Sequence, residues 1–298
     1  MTAIHHAVKG LPVVLKPVED ELLSSWISRH AEYYRVSPLA MLKHGISDAV
    51  SLRAADLRLN AEQGIRLGHI FHLPPADIRR MTHADVPQNA ARFLAPKPIQ
   101  ICLACAERNE QRDAAAAILR SSLEGWRITC PICGTKLVEA GQDKLQPPHL
   151  SATLFTDIWD KALHGQQLFD AAIVQNEWPW ASPTHVFRML LVRRRCKRTD
   201  FEEGIDYGQT ANLIIPGFDE IIRRLGLKPP RGARPIVPLS IRPALLAAVS
   251  IVIDEGPGAI SLLSEATIFN YRLQFDKIVS QMQAEIRIRQ TVSQLLQL

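Results

Sequence analysis

Residues 101–137 read ICLACAERNEQRDAAAAILRSSLEGWRITCPICGTKL, and the rest of the chain is organised around them. The stretch opens on Cys102-Leu-Ala-Cys105 and closes on Cys130-Pro-Ile-Cys133-Gly134. Each CxxC pair fits one tight turn, and two such turns brought together offer four thiolates to one tetrahedral Zn2+ at about 2.3 Å each. Of the five cysteines only Cys196 lies elsewhere, so the grouping is not compositional. The 24 residues between Cys105 and Cys130 exceed the usual spacing of about 15–20, which predicts a helix over 112–123 inside the insert. Disulfides are the rival reading, but paired CxxC without a secretory signal favours metal or redox chemistry. A redox dithiol needs a single CxxC beside a βαβ pattern, which is not seen here. A four-cysteine site leaves no coordination position open, so the single zinc is expected to be structural rather than catalytic. Trp126, four residues before Cys130, is expected to pack over the second turn.

Outward from this centre, 298 residues suffice for two or three domains, and the ordinary apolar fraction argues against disorder. The net charge of +5 hints at a polyanionic partner without proving one. The N-terminus lacks the continuous apolar core of a signal peptide, and the apolar stretch 243–253 is far too short to span a bilayer. A cytoplasmic protein with no membrane partner is expected.

Toward the N-terminus, residues 11–15 read as an arm or a short edge strand. Glu19-Asp20-Glu21 then suits the positive end of a helix that carries Leu22, Leu23, Trp26, Ile27 and His30 at helical spacing. Ser37-Pro38 caps and starts a second helix, which ends near Gly45; a weaker piece covers 49–59. Asn60 caps a segment over 61–71, and after Leu73-Pro74-Pro75 a short helix covers 76–81. Such a pair describes a helix-turn-helix unit over about 60–83, with Asp77, Arg79, Arg80 and His83 on the exposed face of the second helix. The same residues also describe a plain helical hairpin whose arginines face water.

Toward the C-terminus, 87–98 is a connector and 142–148 a polar, Pro-rich linker. Helices follow over 153–163, 183–192 and 218–225, and 241–253 reads as a buried helix or as a helix followed by a strand. Between 188 and 198, six of eleven side chains are basic, including Arg193, Arg194, Arg195, Lys197 and Arg198. Such density attracts phosphates, although a solvated surface or neutralisation of a helix end gives the same pattern. Residues 264–298 contain no Gly or Pro, and Ile268, Tyr271, Phe275, Ile278, Met282 and Ile286 follow a 3–4 spacing. A helix of this kind either docks on its own domain or pairs with another copy as a homodimer, or with another protein.

The fold class expected is therefore mainly α. A helical N-terminal domain (1–95) precedes a zinc-ribbon-like four-cysteine module (96–141), a linker (142–149) and a helical C-terminal domain (150–298). Phosphate-binding GxxxxGK[ST], dinucleotide-binding GxGxxG and nucleophile-elbow GxSxG motifs are missing from the sequence, which argues against an enzyme.

Three features in order resemble the TniQ/TnsD family of transposon target-selection proteins. Pro17, Glu21, Leu22, Ser24, Ser25, Trp26, Ile27 and Arg29 are similar to its opening signature. The helical pair follows, and then Cys102, Cys105, Trp126, Cys130, Cys133 and Leu137 look like its zinc motif, with Cys133 where the family commonly has His. The resemblance covers about 15–140. It implies a non-catalytic adaptor that engages target DNA, or a DNA-bound complex, and recruits the transposon's AAA+ ATPase. Two other readings stay open: a zinc-containing DNA-binding transcription regulator, and a protein-interaction scaffold that never touches DNA.

Overall fold

The structure is a computed structural model that describes residues 10–112, 114–141, 157–196, 202, 208–232 and 235–295, without the side chains after 291. The polar linker 142–148, Lys197 and Arg198 lie outside the described residues. The fold is mainly helical. It packs as two compact units, of which the first takes the chain up to Val86 together with Pro96–Glu124 and Thr129–Ala140. The second takes Pro87–Ala95, Gly125–Ile128 and the chain from Gly141.

Five helices open the first unit: α1 (Leu23–Tyr33), α2 (Pro38–Gly45), α3 (Leu52–Arg58), α4 (Ala61–Ile70) and α5 (Pro75–Arg80). Their apolar faces close over Leu23, Trp26, Ile27, Leu42, Leu67, Phe71 and Ile78. Caps match their sequence signals: the Ser37 side chain accepts from Ala40 N–H, and Asn60 and Gln63 form a reciprocal capping box. The segment 11–15 is an extended arm rather than a strand. Leu15 N–H donates to His30 Nε2 at 2.9 Å, and Trp26 Nε1 donates to Leu15 O at 2.9 Å. His30 Nδ1 lies 2.9 Å from Trp26 O, so its partners select the neutral tautomer with the proton on Nδ1. Burial lowers the pKa of that ring.

The acidic run before α1 does not complement the helix dipole. No acid lies in the first turn, and Glu21 is instead fully buried before it. Its carboxylate accepts from Arg29 Nε at 2.8 Å, Arg29 Nη2 at 2.7 Å, Ser25 Oγ at 3.1 Å and Val18 N–H at 3.0 Å. Positions 21, 25 and 29 are four apart, one above the next on a helical face. The same turn also grips the cysteine module. Leu22 N–H donates to Ile118 O at 2.9 Å, Arg120 N–H to Asp20 O at 2.7 Å, and Ile118 N–H to Ser25 Oγ at 2.8 Å. The segment 118–121 is thereby drawn out alongside 20–22, with Glu21 and Leu119 bridged antiparallel. For that reason the helix expected over 112–123 does not form. The insert's helix is α6 (Leu103–Glu110), and only a 3-10 turn covers Arg120–Leu123. Long-range pairing here outweighs the helix propensity of Ala114–Ala117.

In the second unit, α7 (Trp159–Asp170) and α8 (Pro183–Leu190) pack against a later helix, Arg242–Glu255, nearly all of whose residues are buried. A methyl group on Gly165 would sit 2.0 Å from Leu246 O, so α7 can cross that helix this closely only with glycine there. Phe93, Phe169 and Phe187 meet edge to face at centroid distances of 5.2–5.8 Å. Trp126, expected over the cysteines, belongs to this core instead. Its ring stacks on Phe169 and its Nε1 donates to Asp170 Oδ1 at 3.1 Å.

Strand β1 (Gln100–Ile101) pairs antiparallel with β2 (Val138–Glu139) in the first unit, and β3 (Arg193–Arg194) with β4 (Gly208–Gln209) in the second. The short helices α9 (Ala211–Ile214) and α10 (Phe218–Arg224) lead to α11 (Arg242–Glu255), α12 (Pro257–Ala266) and α13 (Phe269–Leu295). One helix was expected from 264 onward; a corner at Thr267 divides it. The strand residues hold that corner, since Ile268 N–H donates to Arg193 O at 3.1 Å and Arg195 N–H to Ala266 O at 2.9 Å. Beyond it, Phe275, Ile278 and Met282 are buried, so the expected apolar stripe of α13 docks on its own unit. No helix of the described residues is long and apolar enough to cross a membrane.

Both cores can be tested by substitution. Replacing Glu21 by Ala leaves the Arg29 guanidinium uncompensated and nearly buried, and should lower unfolding free energy by about 3–5 kcal/mol in urea titrations. His185 is buried beside Arg188 and Arg92, and burial, followed by those two charges, lowers its pKa from 6.5 to about 4. The unfolded chain therefore binds the extra proton first, and stability should fall as pH drops from about 6.5 to 4, by at most about 3 kcal/mol. Glu285, raised by its own burial, offsets part of that loss. A His185→Leu variant should show a shallower decline in acid-titrated melts.

Candidate metal centre

Two knuckles of different construction meet in the first unit. Cys102 directly follows β1 and occupies the N-cap position of α6, which places Cys105 within the first helical turn. The second knuckle is a tight reversal: Gly134 N–H donates to Cys130 O and Cys130 N–H to Thr135 O, both at 2.9 Å. Gly134 adopts φ +73°, a conformation open to glycine at no steric cost. Thr129 and Lys136 bridge across the base of this turn. Pairing of Gln100 with Glu139 and of Ile101 with Val138 then carries the first knuckle to the second.

The four sulfurs all lie within 4.8 Å of one another. The separations are 3.4 Å for Cys102–Cys133, 3.6 Å for Cys105–Cys130 and 3.8 Å for Cys105–Cys133. Ligands at about 2.3 Å around a tetrahedral ion stand about 3.8 Å apart, which this cluster nearly matches. A disulfide needs about 2.05 Å, so the disulfide reading falls away and the thiols are free. Cys102, Cys105 and Cys130 are buried, while Cys133 is partly exposed.

The electrostatics point the same way. Burial pushes the Cys105 and Cys130 thiols up, so two of the four resist ionisation without a cation beside them. Cys133 is drawn down to about 6, chiefly by its hydrogen bonds with Thr135. Thr135 Oγ1 stands 3.1 Å from Cys133 Sγ and 3.2 Å from Cys102 Sγ. This hydroxyl is a site residue that sequence reasoning missed, and its only signal is its place just after the CPICG turn. The cluster is a four-sulfur cage that can hold one metal ion, and its donor set is that of a structural site.

The other candidate residues are dispersed. Arg79 and Arg80 sit on α5, each in an ion pair at the surface: Arg79 Nε reaches Asp85 Oδ2 at 2.8 Å, and Arg80 pairs with Asp77. His83 does not share their exposed face. It is buried, with Nε2 3.2 Å from Glu124 Oε1. Arg193 lies over the Tyr271 ring at 5.1 Å, and Arg195 is exposed. Arg194, read in sequence with the phosphate-attracting cluster, is buried. Its Nη2 donates to Asp219 Oδ2 at 2.8 Å, so its charge is satisfied inside the fold.

Residues 12–142, which include both knuckles and the Glu21 network, match the family model TniQ. No curated protein and no solved structure matches the chain.

Purified protein should carry about one zinc per chain by plasma mass spectrometry, and Cys105→Ser should lose most of it. Cobalt loaded in its place should give the sulfur-to-metal charge-transfer absorption of a thiolate site. A metal-free, stably folded wild-type chain would overturn the assignment.

Proposed function

We propose, from the match of residues 12–142 to the TniQ family model, that the chain is a non-catalytic accessory protein of DNA transposition. It engages target DNA, or a complex already bound to DNA, and recruits the AAA+ ATPase of the transposon. The observation that carries this reading is the coincidence of the matched region with a domain closed around four thiols. Zn2+ at Cys102, Cys105, Cys130 and Cys133 acts structurally in it, fastening the insert that grips α1.

DNA contact is assigned to exposed cations. On α5 these are Arg79 and Arg80, whose surface ion pairs are worth little and can be exchanged for phosphate. In the second unit the exposed cation is Arg195; half-buried Arg193 beside it, and Lys197 and Arg198 in sequence, add charge. Contacts of this kind position a protein on the duplex without reading its bases. The buried pairing of Arg194 lends some weight to the scaffold reading, in which the basic clusters serve the fold or another protein.

Affinity for a generic duplex, followed by fluorescence anisotropy, should fall linearly on a log–log plot against salt. Arg79→Ala with Arg80→Ala should weaken binding equally across sequences and reduce the slope by about 2. Unchanged affinity in that double variant, with ATPase capture retained, would select the scaffold instead.

A further inference from the structure

Beside Cys102 the first unit holds a half-enclosed cavity of about 100 Å³. Ile101, Ala117, Leu119 and Leu137 give it apolar walls, and no charged side chain lines it. Ala106 and Ile118 line it too and are exposed, so it opens to solvent on their side. Asn109, 8% exposed, and Ser121, 2% exposed, complete the polar part of its lining. The Asn109 carboxamide and the Ser121 hydroxyl have no hydrogen-bond partner among the described residues. Polar groups beside them are engaged: Gln100 Nε2 donates to Ser121 O at 2.8 Å, and Ser122 Oγ to Leu119 O at 2.6 Å. Buried polar groups are nearly always paired in folded proteins, so two left over on one cavity point to something that enters it.

Water answers only part of that need. One water takes about 10–15 Å³ of such space and about two to four polar partners. The cavity has room for several, but the two side chains can hold only one between them, and the apolar walls offer the others nothing. An occupant that fills the space is therefore apolar over most of its surface, with one polar end. That end is neutral, because an ion taken from water here meets no counter-charge. A group that both donates and accepts matches a carboxamide and a hydroxyl together. The space is smaller than the about 150 Å³ that takes a benzene ring, so the apolar part is a stem of about four carbons. We propose that this cavity binds a small uncharged molecule, a carboxamide on a short aliphatic stem. Its wall is shared with the clasp, since Leu22 N–H donates to Ile118 O at 2.9 Å and Ser121 N–H to Asp20 Oδ2 at 3.0 Å. Cys102 belongs to the cage, so the occupant would brace α1 and the first knuckle together.

The test titrates the isotope-labelled full chain with isovaleramide and, separately, with isovalerate, which has the same shape and a negative charge. Backbone amide resonances within 100–122 should shift saturably with isovaleramide, with a Kd of about 1–10 mM. Isovalerate should bind at least about tenfold more weakly. Asn109→Leu removes the unpaired carboxamide, so it should melt at or above the wild-type temperature and bind isovaleramide about tenfold more weakly. Ala106→Phe, at the exposed mouth, should abolish binding while leaving melting and metal content unchanged. No saturable shift with either probe leaves the cavity to water and overturns the proposal. So does isovaleramide affinity that survives either substitution in full, or isovalerate binding of equal strength. Tighter binding of a glutamine residue capped at both ends gives the cavity to a partner protein's side chain, and overturns it as well.

Discussion

Four thiols confined within 4.8 Å of one another are the constraint on which the first unit depends. Burial opposes ionisation of Cys105 and Cys130, so sulfurs at these distances gain a favourable state when a divalent cation compensates their charge. That cage joins points of the chain separated by 24 residues. The intervening segment must leave one knuckle and return to the other, and on the way it is pulled straight along 20–22 rather than coiling. A metal held by the two knuckles therefore also fixes where Ile118, Arg120 and Ser121 meet α1.

The opening signature makes sense from the same contacts. Glu21 is an anion taken out of water, tolerable because Arg29, Ser25 and the Val18 amide satisfy it together. Ser25 does double duty, donating to Glu21 and accepting from Ile118. Asp20, at φ +59°, turns its carboxylate onto Arg120 Nε and Ser121 N–H. Residues that read in sequence as a helix start are, in the fold, the clasp between the first helix and the cysteine module. Trp26 completes the arrangement from the other side by pinning the arm at Leu15.

How much of this was legible follows from the range of each interaction. The cysteine cage, the Ser37 and Asn60 caps, the short α4–α5 pair and the buried Arg242–Glu255 helix were readable because local spacing and composition specify them. What escaped depends on partners distant in sequence. Trp126 reads as part of the knuckle only until Phe169 and Asp170 come to it. Nothing in Ser264–Ile268 announces a corner; it exists because β3 supplies backbone partners there. His83 follows the α5 pattern in sequence, yet a carboxylate 41 residues away draws it inside. Thr135 escaped too, because only the folded distances bring its hydroxyl beside Cys102 as well as Cys133.

The run Arg193-Arg194-Arg195 shows why a count of charges is not yet a binding surface. In extended chain, successive side chains point to opposite faces, so three consecutive arginines cannot present one continuous cationic front. Here the middle one turns inward onto Asp219, whose other oxygen accepts from Gln209 N–H, and together they tie β3 and β4 to α10. Its neighbours point away from that buried pair, Arg193 settling over the Tyr271 ring and Arg195 reaching solvent. Only a cation that keeps its water in the free protein can exchange it for a phosphate or a carboxylate at modest cost. On that criterion the polyanion-facing potential of this run lies at Arg195, and the arginine at its centre is part of the fold that holds it there.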